Sequence, residues 1–327
     1  MQLTRNILAG AFAAALVAAP AGAQEHQMTL AHVLSEQSAY QIILTRFGEL
    51  VEERSNGRIA VEVQCCAQAG NETRAIQSFR TGVLTGGFVG GSSLETVVPA
   101  FRVLSLPYLW TGSEEAYEVL QGETGREMLD FLHEFGMHGL GWGAIFERSV
   151  ASRRPVETVE DLQGLKIRVL PTPGFVEAYR VMGAQPTPMA YGEVFMALQN
   201  NVVDALEISP DSIVADRFVE VVEYYSLTKA HQSTTVFVLA KSFFDGLPED
   251  LQEIVQTAAD EAIAHGIEAH LELNRKGLEI VRERGVTVIE PDLAPFAEAA
   301  RPSWDVILAD VPEARELLEI IEAGRQR

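Results

Sequence analysis

The sequence is poor in lysine, with only Lys166, Lys229, Lys241 and Lys276 among 327 residues, and it contains just two cysteines. Lysine and arginine together number 25 against 46 aspartates and glutamates, for a formal net charge of −21. This shortage of positive charge excludes nucleic acid as partner, because phosphate binding needs an excess of Lys and Arg. It also means that any cationic site is built from arginine. Cys65 and Cys66 are neighbours, so they cannot staple distant parts of the chain, and they read as loop thiols or a local vicinal bridge. Long apolar runs are scarce too. The one clear case, Ile7 to Ala19, is about 13 residues, whereas a membrane span needs roughly 20. With Arg5 before it and Ala21-Gly22-Ala23 after it, residues 1–23 read as a cleaved secretory signal peptide. Its removal takes away one positive charge, and −21 − 1 gives −22 for the mature chain.

Catalytic signatures are missing as well. There is no Walker-type loop, no His-Glu-x-x-His helix and no Gly-x-Ser-x-Gly elbow. The pairs His133/His138 and His265/His270 lie five residues apart and share no helix face, so no zinc site is expected. The run Gly86-Gly87-Phe88-Val89-Gly90-Gly91 lacks dinucleotide spacing and marks a close backbone approach to a ligand or another strand. The tripeptide Asn71-Glu72-Thr73 matches a glycosylation sequon, which arises often by chance. No cofactor is expected.

What is present is a large core. Hydrophobic residues make up 47% of the chain, enough for two domains at this length. A strand-like run at 28–34 precedes a helical pattern at 39–53, in which Ile42, Ile43, Phe47, Leu50 and Val51 form one stripe. A strand at 59–63, a helix at 75–82 and a short buried strand at 86–90 follow. A second block near Arg153-Arg154-Pro155 repeats the alternation, with strands at 165–169 and 202–208 and helices at 175–182 and 191–199. This predicts mostly parallel sheets flanked by helices. Residues 236–240 read as a strand leading back to the first domain. Residues 248–285 form one long helical pattern, roughly 50 Å at 1.5 Å per residue, long enough to lie along both domains.

Arg168 alternates with Ile167 and Val169 at the carboxyl end of its strand, just before Pro171-Thr172-Pro173. Ligands of open α/β sheets bind in the crevice beyond such ends, and arginine grips a carboxylate there with two parallel hydrogen bonds. From this placement alone, a surface ion pair stays open as the alternative.

The stretch 161–169, Gly183 to Met189, Glu193 to Gln199 and Val202 to Glu207 together resemble one family. So do Gly70-Asn71-Glu72, Leu106 to Leu109 and Arg154-Pro155-Val156. The chain resembles the substrate-binding subunits of tripartite ATP-independent periplasmic (TRAP) transporters, of the dicarboxylate-binding type. The resemblance implies an α/β, two-domain periplasmic-binding-protein-like fold with a hinged cleft and a long helix spanning both domains. The expected division is 24–148 plus about 236–265 for the first domain, and 149–235 plus about 285–327 for the second.

It further implies a periplasmic, monomeric carrier without nucleic-acid partners, which captures a small carboxylate and delivers it to the membrane permease subunits. The arginine of the Lys-Ile-Arg motif, Arg168, is implied to bind the ligand carboxylate, with Arg148 as the second arginine. Glu72 and Asn71 are implied to face the cleft, where Glu72 could accept ligand hydroxyls and so favour a sugar acid over a plain dicarboxylate; capping of the following helix is the alternative role of Glu72. Glu207 matches a family carboxylate that holds a bridging metal in some branches, but Ile208 does not fit that arrangement, so no metal is expected. Ile208 and Ser209 stand where the family has Asn-Pro, leaving Ser209 or Asp211 to supply the polar contact. His231 and Gln232 are expected to be structural residues near the hinge. A secreted enzyme acting on organic acids and a ligand-sensing module are the competing functions.

Overall fold

The computed structural model describes residues 24–325, so the signal-peptide reading lies outside the described residues. Its strands are β1 (His26–Ala31), β2 (Ile59–Gln64), β3 (Gly86–Gly90), β4 (Met137–Trp142), β5 (Phe146–Ser152), β6 (Lys166–Val169), β7 (Gln185–Pro188), β8 (Ala205–Ile208), β9 (Tyr224–Ser233), β10 (Thr235–Ala240) and β11 (Thr287–Ile289). They form two sheets, one ordered β2-β1-β3-β10-β4 and the other β11-β9-β5-β8-β6-β7. Each sheet is mixed: β1 pairs parallel with β2 and β3, whereas β10 is antiparallel to β3 and β4. In the second sheet β6 is parallel to β7 and β8, and β5 is antiparallel to β8 and β9. Two sheets with separate helices define two lobes.

Local chemistry explains the elements. Ser38 caps the helix Ala39–Arg54, accepting from the Gln41 N–H, and the buried Ile43, Phe47, Leu50 and Val51 of its stripe face the first lobe's core. Asn71, rather than Glu72, caps the helix Glu72–Arg80, with Oδ1 accepting from Arg74 N at 3.0 Å. The alternative capping role for Glu72 is thereby corrected. The close approaches expected at the glycine run occur in β3. A Cβ on Gly87 would stand 1.9 Å from the Ala31 carbonyl oxygen, and one on Gly86 2.2 Å from that of Val238.

The chain crosses between lobes at paired points. One crossing lies between β4 and β5 and another between β9 and β10, and they are laced together by Gly143 N–H to Thr235 O (2.8 Å) and Thr235 Oγ1 to Ala144 O (2.8 Å). Beside them runs the helix Glu249–Glu283. Its first half packs Leu251, Val255, Ala259 and Ile263 into the first lobe, while Val281 belongs to the second lobe's core. The two glycines within it are close-contact positions: a Cβ on Gly266 would meet Ile43 Cγ1 at 2.0 Å, and one on Gly277 the Pro210 oxygen at 2.4 Å.

The C-terminal segment departs from the expected division. Phe296 and Ala300 do pack in the second lobe. Ile307, Leu308, Val311, Leu317 and Ile321 instead join the first lobe's core, so residues 307–324 return to it. The apolar stripe of the helix Pro312–Gly324 covers the 99–105 and 123–130 segments of that lobe. In the other direction Tyr108 reaches from the first lobe onto β9, its hydroxyl donating to Thr228 O at 2.9 Å and its N–H to Ala230 O at 2.7 Å. Cys65 and Cys66 are joined to each other, in the loop that leads from β2 toward Asn71.

Candidate functional site

Both lobes contribute walls to a cleft. One chamber is lined by Tyr40, Glu72 and Ser92 from the first lobe and by Arg148, Arg168 and Tyr191 from the second, among others. Arg168 comes to it from β6, where Lys166 is exposed and Arg168 is only 3% exposed. Its Nε and Nη2 both donate to the Met189 carbonyl, at 3.2 and 2.9 Å, which fixes one edge of the guanidinium. Nη1 has no protein partner among the described residues. The Tyr191 ring lies 5.7 Å from Arg168 Cζ, and the Tyr191 hydroxyl donates to Asp216 Oδ2 at 2.6 Å. Burial, with Arg148 nearby, lowers the Arg168 guanidinium to about 10, which leaves it charged at neutral pH.

Arg148 projects from β5 and is largely buried. Its Nη2 donates to the Glu207 carbonyl, and its Nε lies 3.5 Å from Glu207 Oε2. Glu207 is itself held by His231 Nδ1 at 2.7 Å, and His231 is stacked on Phe175 with ring centroids 4.1 Å apart. Burial pushes the Glu207 carboxyl up, but His231 and Arg148 outweigh it and hold the group below its ordinary value. Arg168 has no carboxylate within salt-bridge distance among the described residues, whereas Arg148 has Glu207.

Glu72 lines the same chamber. Its carboxylate accepts from Gly90 N–H at 2.9 Å and Ser93 Oγ at 2.5 Å. Burial raises its pKa despite those hydrogen bonds and the two arginines. Three further hydroxyls in this wall, Ser92 Oγ, Ser233 Oγ and Thr234 Oγ1, are buried and have no hydrogen-bond partner among the described residues.

Of the residues singled out from sequence, Arg168, Arg148 and Glu72 meet in this chamber, and Asn71 lies at the rim of an adjoining one. Glu207, Ser209 and Asp211 line neither chamber, which corrects their expected contact with ligand. Glu207 sits behind Arg148 with its side chain fully buried. Ser209 Oγ donates to Asp211 Oδ1, and Asp211 faces His270 Nδ1 at 3.3 Å, underneath the chamber floor. His231 is structural as expected, because it bridges Glu207 and the Ser105 carbonyl. Sequence reasoning missed Tyr191 and the Ser92, Ser233 and Thr234 hydroxyls. Tyr191 follows Met189 by two residues, so the strand-end position of Arg168 could have drawn attention to it. The hydroxyls carry no local signal. His133 and His138 do meet, with Nε2 and Nδ1 3.2 Å apart, but across the turn into β4 and not along a helix.

Two α/β lobes closing over a cleft of buried arginines and hydroxyls define the class of bilobed solute-binding proteins. Residues 30–310 match the model of the bacterial extracellular solute-binding proteins, family 7 (DctP), and the chain belongs to this family. It is a TRAP substrate-binding protein, and the family is one of binding proteins rather than enzymes. A solute-binding protein of Roseobacter denitrificans is 33% identical over 311 residues, covering 95% of this chain and 94% of its own length. Its structure with bound L-galactonate superimposes with a TM-score of 0.84, over 92% of this chain and 99% of that one. A TRAP solute-binding protein of Sulfitobacter with bound β-D-galacturonate is 31% identical, with a TM-score of 0.88 over 91% and 99% of the two chains. The 2,3-diketo-L-gulonate-binding periplasmic protein YiaO of Escherichia coli is 29% identical over 291 residues, 88% of this chain and 89% of its own.

Proposed function

We propose that this chain, exported through a cleaved signal peptide, captures a sugar acid in the periplasm and delivers it to the permease of a TRAP transporter. The observation that carries this reading is the unequal state of the two arginines. Arg148 is already paired with Glu207, while Arg168 is buried, edge-fixed by Met189 and without a carboxylate in salt-bridge distance among the described residues. One uncommitted guanidinium matches one carboxylate, which favours a monocarboxylate over a C4 dicarboxylate. The unpartnered hydroxyls of Ser92, Ser233 and Thr234 and the acceptor Glu72 suit a polyhydroxylated body. A buried polar group left without a partner costs free energy, so a ligand that supplies hydrogen bonds gains what an apolar one cannot. The ligands named for the relatives, galacturonate, L-galactonate and diketogulonate, share this chemistry.

Arg168 holds the carboxylate, Arg148 adds a second cationic contact, and Glu72 accepts from ligand hydroxyls. Asn71 borders the entrance. Closure is a hinge motion at 143–145 and 233–235, with ligand selecting the closed state of a monomer. Calorimetry of the mature chain with D-galacturonate, L-galactonate and succinate tests the proposal. The sugar acids should bind at least about tenfold more tightly than succinate, a difference of about 1.4 kcal/mol. Tighter binding of succinate would overturn it.

A further inference from the structure

Cys65 and Cys66 are joined to each other, and the binding of a sugar acid makes no direct use of that bond. Its place in the fold is specific. Cys66 and Ala67 both have a φ of 59°, the one place among the described residues where two consecutive non-glycine residues lie in the left-handed region. Residues with a Cβ stay in that region only where their surroundings over-determine it. Here the bond does part of the holding. With the intervening peptide it closes a small ring that contains the φ torsion of Cys66, so this torsion is not free to relax while the bond is intact.

The turn also belongs to the cleft wall. Cys66 N–H donates to Leu34 O at 3.0 Å and Ala67 N–H to His32 O at 3.2 Å, and Val33 and Leu34 line the cleft. On its other side the turn runs through Ala67, Gly70 and Asn71, which line the cleft as well, into the Asn71 cap of the helix that carries Glu72. The bond therefore stands at the base of two lining segments, 32–34 and 67–72. Two features fit it for opening. Cys66 is exposed and Cys65 is buried, so an external thiolate reaches the Cys66 sulfur and Cys65 is the leaving group. Glu36 Oε1 lies 3.9 Å from Cys65 Sγ; a disulfide sulfur has no hydrogen to give it, whereas the reduced Cys65 thiol donates to that oxygen.

We infer that the Cys65–Cys66 bond is a redox-sensitive lock on the cleft wall, which a dithiol opens and whose opening lowers affinity for the ligand. The first thiolate of the reductant attacks Cys66 Sγ, the bond between the cysteines breaks, and Cys65 leaves as a thiolate that takes up a proton. The second thiol of the reductant then attacks the mixed disulfide and releases Cys66. Two electrons and two protons thus pass to the chain, and the dithiol becomes a disulfide. Freed from the ring, Cys66 relaxes toward ordinary φ and the hydrogen bonds to Leu34 and His32 loosen. Only a fraction of the chains then holds the wall in its binding geometry, and the apparent affinity falls by that fraction. The inference rests on the sugar-acid reading above for its probe ligand.

The test is calorimetric titration of the mature chain with galacturonate before and after dithiothreitol, with thiols counted on the folded protein and amide exchange followed at 33–34 and 66–74. Reduction should release the pair of thiols, speed exchange in both segments and weaken binding by about fivefold or more, the scale set by one left-handed residue. Cys65→Ser/Cys66→Ser should bind as reduced wild type does and ignore dithiothreitol. Cys65→Ser/Cys66→Gly should recover much of the lost affinity, because glycine takes positive φ without a steric cost. Thiols that appear only on unfolding, exchange that reduction leaves unchanged, or equal affinity in the two redox states would overturn the lock. A glycine variant no better than the serine one would refute the left-handed backbone as its cause. If galacturonate binds in neither state, the sugar-acid reading fails, and the thiol count and amide exchange still decide whether the bond locks the wall.

Discussion

Replacing Arg168 separates what the residue does for the ligand from what it does for the fold. In Arg168→Ala the ligand carboxylate would enter a desolvated chamber without its guanidinium, a loss of about 2–5 kcal/mol. At 1.4 kcal/mol per factor of ten, that weakens binding by roughly 30-fold to several thousand-fold. The folded state without ligand responds differently. Arg168 is buried with a second arginine nearby and no carboxylate partner, so its charge is a burden that removal relieves. Against this stands the Met189 carbonyl, which loses two donors at a cost of about 1–3 kcal/mol. The two effects oppose each other, so the melting temperature of the ligand-free variant should move by no more than a few degrees. Arg168→Lys keeps the charge but not the fork that engages Met189 and ligand together, and it should fall between wild type and alanine. Calorimetric titration gives the affinities and scanning calorimetry the stabilities. Unchanged affinity in Arg168→Ala, or a variant that unfolds before it fails to bind, would refute the assignment.

Other substitutions probe the surroundings. Gly277→Ala should destabilise by about 1–3 kcal/mol in urea denaturation, because the new Cβ meets the Pro210 carbonyl, even though alanine is the better helix former by roughly 1 kcal/mol. Glu207→Gln leaves Arg148 and His231 facing each other without their anion and should cost about 3–5 kcal/mol at neutral pH. The folded Glu207 carboxyl is held below its unfolded value near 4.5, so its stabilisation is full above that pH and lost as pH falls through the folded value. Glu207→Gln should therefore flatten the acid limb of the stability curve below about pH 4.5, as urea midpoints across pH would read. Raising salt from low to about 0.15 M, where the Debye length is roughly 8 Å, should speed ligand association by screening the net negative chain; a steep fall in stopped-flow association rate would contradict this.

How far the sequence carried depends on whether a signal is local. The long helix was legible because its pattern continues for ten turns, and its ends at Glu249 and Glu283 match the expected span closely. Arg168 was legible because strand alternation and the prolines after it set both its direction and its place at a strand end. The reach of residues 307–324 was not legible, since an amphipathic stripe shows that a helix packs but not on what. Leu317 and Ile321 find their partners in segments some 200 residues earlier. The three chamber hydroxyls come from the β9–β10 junction and the turn after β3, which the long-range pairing of β3 with β10 makes neighbours. Glu207 was misplaced for a related reason: its position in the motif is right, but the depth of its side chain is set by Arg148 on β5 and His231 on β9.

Those depths resolve the apparent conflict between an acidic chain and an anionic ligand. Arg148 and Arg168 stand against Glu72 in the chamber and Glu207 behind it, so the site is not a basic patch. What differs is how each charge is used. Glu207 is consumed by Arg148 and His231 beneath the chamber, and Glu72 is turned toward Gly90 and Ser93. Arg168 has no carboxylate within salt-bridge distance among the described residues, whereas Arg148 has Glu207. Attraction therefore acts over hydrogen-bond distance in a water-poor space, where Coulomb energies are several times larger than at the surface. The exposed acidic side chains elsewhere on the chain are weakened by salt screening. Selectivity then follows from count and geometry: one guanidinium not paired with a carboxylate for one ligand carboxylate, and hydroxyls together with Glu72 for a body that carries hydroxyls of its own.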